Sequence, residues 1–252
     1  MLNFTALLTN EWIKLYKKKS FFVYFAIMAV FVGIVTYVAH RGWIDGVDSA
    51  FKFAEVVVNM GTAGQILPII AIIAMANIVP QEFSMGTIKL LLIRSQSRSK
   101  ILASKYIISL IFTLVLVAAT LVMSLIAGLV LYGFGGGADL LPNIAENMLY
   151  LILYTFAFVT LTFMLGVLTK SNGATIGISM FFMMVIGLFN LLLGRYEMIK
   201  FFLLPNVDLS VYQNGGTMPH GMTLTFSVSV FAAYMIVFLF LSFFTFRKRD
   251  VS

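Results

Sequence analysis

Apolar and polar positions alternate along the chain in long blocks rather than residue by residue. Six stretches, about 20–39, 60–79, 106–132, 147–168, 174–194 and 223–246, contain no Asp, Glu, Lys, Arg or His. Each is close to the ~20 residues that a helix needs to cross a hydrocarbon core of ~30 Å. The pattern predicts an all-α integral membrane fold of six transmembrane helices in a single domain spanning 1–252. The second stretch is the least regular, because Gln65, Pro68 and Asn77 interrupt it, and Pro68 predicts a kink with a freed carbonyl near residue 64. Ahead of the first stretch, Phe4, Leu7, Leu8, Trp12, Leu15 and Tyr16 recur at helical spacing, while Asn10, Lys14, Lys17 and Lys18 fall largely elsewhere. That spacing predicts an interfacial amphipathic helix within 1–19, although a basic topogenic flank accounts for the lysines equally well. The first stretch ends Tyr37-Val38-Ala39-His40 without a small-residue cleavage site, so it is expected to stay attached rather than to be removed as a signal peptide.

Composition agrees with the blocks. Hydrophobic residues make up 61% of the chain and charged residues 11%, against roughly 45–50% and 25% in soluble domains, which excludes a water-soluble globule. No cysteine is present and the two histidines are His40 and His220, so disulfides, iron–sulfur clusters and thiolate metal sites are excluded. The net charge of +7 matters less than its distribution. With the amino terminus inside, the inner segments carry 13 Lys and Arg, whereas the outer ones carry four, Arg41, Lys52, Arg195 and Lys200, among seven acids. The bias predicts both termini in the cytoplasm.

Chemistry is sparse. No ionisable side chain falls inside a span, which lowers the weight of proton- or ion-coupled transport. No H-E-x-x-H occurs, and Ser124, Ser179 and Ser227 have no base nearby in sequence, so intramembrane proteolysis is disfavoured. The phosphate cradle G-x-x-x-x-G-K-[ST] is missing, and the glycine run 133–137 reads as an outer turn. The chain is therefore not expected to be an enzyme or to hold a cofactor; if ATP drives it, a second protein binds the nucleotide.

The inner loop 80–105 is the longest and mixes apolar with basic residues. A handful of residues suffices to join two spans, so a loop this long predicts a structured element: a short cytoplasmic helix over Thr87–Ile93, then Ser97 or Ser99 capping the helix that enters the third span. The apolar tip Leu90–Ile93 calls for cover, from a partner's groove or from the chain's own interfacial helix and the lipid surface.

At this loop the sequence resembles the membrane (permease) subunit of type-2 ABC exporters, the family of bacitracin-resistance, lantibiotic-immunity and phenol-soluble-modulin exporter permeases. The matching features are Asn10-Glu11-Trp12 and Lys14 before the first span, Glu82 and Gly86-Thr87 after the second, Ser97-Arg98 and Lys105 at the third, and the basic end Arg247-Lys248-Arg249. The resemblance covers the whole chain; Ser95 stands where many relatives have proline. It implies that the loop docks on a separate ABC ATPase, with Glu82, Gly86, Thr87, Lys89, Arg94, Ser97 and Arg98 as coupling candidates. A local salt bridge at the membrane face is the other reading of Glu82 and Arg98. By resemblance two permease chains, identical or paralogous, pair with two ATPase subunits that carry ATP and magnesium, in a bacterial cytoplasmic membrane.

Gly173-x-x-x-Gly177 in the fifth span would let another helix approach closely, although small residues are common in membrane helices. Gly173 and Gly177, with Met180, Met183, Met184 and Phe189, are the candidates for a dimer interface or pathway. A soft uncharged wall suits amphipathic peptides of toxin or antimicrobial type, with hydrophobic compounds next. The outer stretch 195–222, centred on Leu203-Leu204-Pro205, is too apolar for a free loop and predicts re-entrant or surface helices, as an outer gate or an ordered cap. The alternative function is a non-transporting membrane scaffold or sensor whose basic loop binds a regulatory partner.

Overall fold

The computed structural model of the protein describes residues 4–84, 97–135 and 137–248. These residues form helices α1 (Phe4–Tyr16), α2 (Lys19–His40), α3 (Ala50–Val58), α4 (Ala63–Met75), α5 (Pro80–Ser84), α6 (Arg98–Tyr132), α7 (Leu141–Thr169), α8 (Asn172–Leu193), α9 (Leu203–Asn206) and α10 (Leu224–Lys248), with short 3-10 turns between them. Six are long and apolar enough to cross a membrane: α2, α4 continued through α5, α6, α7, α8 and α10. The protein is an all-α, multi-pass membrane protein.

Burial separates the spans into two classes. In their apolar windows 67% of the α4–α5 span and 72% of α7 are buried, against 6% of α8 and 11% of α10. The centre is therefore α4 and α7, whose Leu67, Ala71, Met75, Leu151, Phe158 and Leu161 pack with Phe112 and Leu116 of α6. Between helices that lipid solvates as well as protein does, close contact depends on small side chains and satisfied polar groups. The buried Ser109, Thr113 and Thr120 of α6 each donate to the carbonyl four residues back, and Thr162 of α7 donates to Ser179 of α8 at 3.0 Å.

The second span differs from its expected form. It begins at Ala63, not residue 60, and Pro68 is buried inside a continuous helix. The interruption comes lower down, where α4 is capped at Ala76 and Pro80 opens α5. Proline at a first helical position loses no hydrogen bond, so this is the inexpensive place for a break. Helix α3 was not anticipated. Ser49 caps it by accepting from the Lys52 N–H at 3.2 Å, and Ala50, Phe53, Ala54, Val57 and Val58 form its buried face against α6. Gly128 of α6 makes this approach possible, since a Cβ there would lie 2.8 Å from the Ala50 Cα.

The outer stretch is re-entrant. Lys200, Phe202 and Asn206 dip below the outer ends of α8 and α10: Phe202 meets the Phe189 ring at 5.4 Å, and the Tyr234 hydroxyl donates to the Phe201 carbonyl at 3.2 Å. Tyr234 lies ten residues into α10, about 15 Å along it. Irregular backbone at that depth must be satisfied inside the protein. Asn206, fully buried, does this by donating Nδ2 to the carbonyls of Lys200 and Phe202, both at 2.7 Å. The Ser227 and Tyr212 hydroxyls, 2.7 Å apart, pin the segment to α10.

Candidate functional site

Helix α1, α5 and the first turns of α6 meet at one end of the bundle, the end that also receives the last turn of α10. Two carboxylates and two ammonium groups converge there. Lys105 Nζ, on a side chain only 3% exposed, donates to Glu11 Oε2 at 2.7 Å and to Glu82 Oε1 at 2.6 Å. Lys14 Nζ donates to Glu11 Oε1 at 2.8 Å and to Glu82 Oε1 at 3.3 Å. The four charges sum to zero and each finds a partner, which is the condition for their attraction to offset the cost of desolvating them. Lys18 extends it by donating to the Gln81 side chain.

Each group owes its position to local structure. Glu11 and Lys14 sit one turn apart on α1. Glu82 lies in the first turn of α5, where a negative charge suits the helix dipole. Lys105 lies two turns into α6, whose start Ser97 caps by accepting from the Lys100 N–H. Burial by itself pushes the Glu11 carboxyl up, but the Lys105 and Lys14 ammonium groups outweigh it and hold Glu11 below the 4.5 of a free glutamate. For Lys14, burial pulls down and the two glutamates outweigh it, holding it above 10.5. Burial, with the Lys105 charge beside it, lowers Lys18.

The geometry makes a mechanical link. Glu82 ends the second span and Lys105 opens the third, so the cluster ties both stems of the segment between them to α1. Arg98 adds a tie to α10, its Nη1 donating to the Arg247 carbonyl at 3.3 Å and satisfying an end-of-helix acceptor. Of the coupling candidates, Glu82, Ser97 and Arg98 are thus placed: Glu82 in the cluster, Ser97 as a cap, Arg98 on α10. Gly86, Thr87, Lys89 and Arg94, with the expected helix over Thr87–Ile93, lie outside the described residues.

The second group of candidates does not form one site. Met180 and Met183 pack against the core, Met184 is 83% exposed, and among the described residues nothing beyond the neighbouring turns of α8 comes within 4 Å of a Cβ at Gly173 or Gly177. Helix α8 leans on α7 through Thr175 and Ser179 instead. Phe189 lines a cavity of about 460 Å³ beneath the re-entrant segment, walled also by Ala157, Met164, Phe182, Leu204 and Tyr234. Among the described residues, no three His, Asp or Glu gather as they would around a metal ion.

Two features escaped sequence reasoning. Glu11 appeared only as part of a motif, yet it is the acid that Lys105 holds; its signal was an acid on an otherwise apolar face of α1, next to Leu7 and Trp12. The cavity had no signal, because its walls come from four distant segments.

Residues 13–252 match the family described as "Protein of unknown function (DUF2705)". Two proteins of Bacillus subtilis (strain 168) are similar to the chain. "Uncharacterized protein YhcI" is 35% identical over 199 residues, which cover 72% of this chain and 63% of that protein. "Uncharacterized membrane protein YdbK" is 28% identical over 246 residues, covering 94% and 99%. The chain thus spans less than two thirds of the first relative and nearly all of the second.

Proposed function

Since the chain belongs to the DUF2705 family, whose description leaves its role open, we propose a function from its own residues: it is the transmembrane permease subunit of an ATP-driven exporter in the bacterial cytoplasmic membrane. A separate ABC ATPase, two copies per complex, docks on the 80–105 loop and supplies ATP and magnesium; a second permease chain completes the pathway. The cargo class is amphipathic peptides or hydrophobic compounds, moved outward. The observation that carries the reading is the buried cluster of Glu11, Lys14, Glu82 and Lys105. A loop that only joined two spans would have no use for a desolvated lysine fastening both its stems to a third helix. A loop that receives force from a partner needs such a brace, because a compliant stem would absorb the stroke. On this reading the partner supplies the energy, in keeping with the missing phosphate-cradle motif, and the basic bias of this end fits a cytoplasmic docking face.

The test is affinity purification of the tagged chain in mild detergent from its native host, followed by an ATPase assay, with and without deletion of Gly86–Ile93. An ATPase that co-purifies and is lost on deletion supports the exporter. Purification without any ATPase, across detergents that keep the permease folded, sends the reading back to a scaffold or sensor.

A further inference from the structure

The cavity beneath the re-entrant segment is not explained by a role in coupling, since it lies among α7, α8, α10 and residues 202–207, away from the charged cluster. Its lining residues are apolar side chains and one tyrosine, whose hydroxyl already donates to the Phe201 carbonyl. Water gains little in such a space, which offers it none of the two to four polar partners that hold a buried water. A peptide backbone is an equally poor guest, because each of its amides needs a partner. The walls also have an opening. Helices α8 and α10 pack on α7 and on α9, yet they scarcely touch each other. Their outward faces carry Phe181, Met184, Ile236 and Phe240, all apolar and more than half exposed, so the slot between them is flanked by apolar surface. The volume falls within the ~300–1,000 Å³ of small-molecule sites, and Met164 with five phenylalanines gives a wall that adjusts to a flexible guest.

We infer that this cavity is a binding site for a single hydrocarbon chain of a membrane phospholipid, which enters from the bilayer between α8 and α10 and lies beneath the re-entrant segment. The chain supplies the contacts that the cavity lacks, and the head group stays outside the protein. This inference does not depend on the exporter reading, since it concerns the permease chain alone.

The experiment uses the full chain, delipidated in maltoside micelles and titrated with dioleoyl phosphatidylglycerol, with bound lipid counted by native mass spectrometry. The expected result is one lipid retained per chain after the loosely bound ones are stripped, displaced by single-chain lysophosphatidylglycerol but not by glycerophosphoglycerol. Filling the cavity by Ala157→Phe weakens retention at least tenfold; Leu165→Trp, at another lining position, gives the same reading should the first variant fail to fold. Met184→Trp, on the lipid side and outside the cavity, leaves retention unchanged. Retention unaffected by both filling variants, equal loss in Met184→Trp, displacement by the bare head group, or no retained lipid in the wild type would each overturn the inference.

Discussion

Replacing Lys105 by methionine keeps an unbranched side chain one atom shorter and removes its charge, so it tests chiefly the ionic part of the cluster. The two carboxylate oxygens that Lys105 holds both lie within 2.7 Å of its nitrogen, and so are at most about 5.4 Å apart. With Lys105 gone, like charges at that distance repel by about 3 kcal/mol at an effective dielectric near 20. Lys14 still contacts both carboxylates, but its side chain is 43% exposed and its compensation is partial. Removing one partner of a buried ion pair costs about 3–5 kcal/mol, which for a chain of this size corresponds to a fall in Tm of about 6–20 °C. The assay is thermal unfolding in detergent, followed by fluorescence-detected size exclusion, at pH 7.5 and near pH 4. Glu11 has its folded pKa lowered below 4.5. Its contribution is therefore complete above that value and is lost as pH falls through the folded pKa. Without Lys105, Glu11 takes up its proton more readily than in the wild type, so the difference between the two proteins must shrink on acidification. A Tm unchanged at pH 7.5, or a gap that widens toward pH 4, would refute the reasoning.

Three further outcomes follow from the same coordinates. Gly128→Ala places a Cβ 2.8 Å from the Ala50 Cα, and its overpacking cost of about 1–3 kcal/mol outweighs the helix-propensity gain of about 1; Gly187→Ala, with nothing within 4 Å, shows the gain without the cost, and the two Tm shifts should have opposite signs. Asn206→Leu removes the donor to two part-buried carbonyls, at a cost of about 1–3 kcal/mol in all, seen as faster protease cleavage within 197–215 while the six spans stay inserted. Glu82→Gln and Arg98→Ala leave membrane insertion intact and, on the exporter reading, reduce ATPase stimulation and transport; unchanged stimulation in both removes the two residues from the coupling path.

Much of the fold was legible in the residues themselves. The predicted spans 106–132 and 147–168 fall inside α6 and α7, 174–194 and 223–246 match α8 and α10 to within two residues at each end, and Ser97 is the cap that its position before a helical run implied. The first turns of α7 were missed because Asn143 and Glu146 precede the apolar run, although a polar residue just outside the hydrocarbon continues a helix at little cost. Pro68 lies buried inside α4, and the helix interruption, which the residues did not signal, comes after Ala76, with Pro80 opening α5. Of the candidate site, Glu82 and Arg98 were named, whereas the importance of Lys105 and Glu11 was not. A buried ion pair between residues 94 positions apart has no local signature.

Hydropathy and the placing of Lys and Arg determined by themselves that this chain is helical, that it crosses the membrane six times, and which of its ends is basic. The reason is that a bilayer imposes a strict requirement on every span separately: about twenty residues without an unpaired charge, judged one segment at a time. Only the tertiary structure decided which spans are central, that α3 and the re-entrant segment pack among them, and that four charges meet where the loop begins. In lipid the inward and outward faces of a helix are equally apolar, so the pattern that reveals the interior of a soluble protein is absent. Here the interior is chosen by small contacts, Gly128 on Ala50, Thr162 on Ser179, Lys105 between Glu11 and Glu82, and such pairings exist only once the chain has folded.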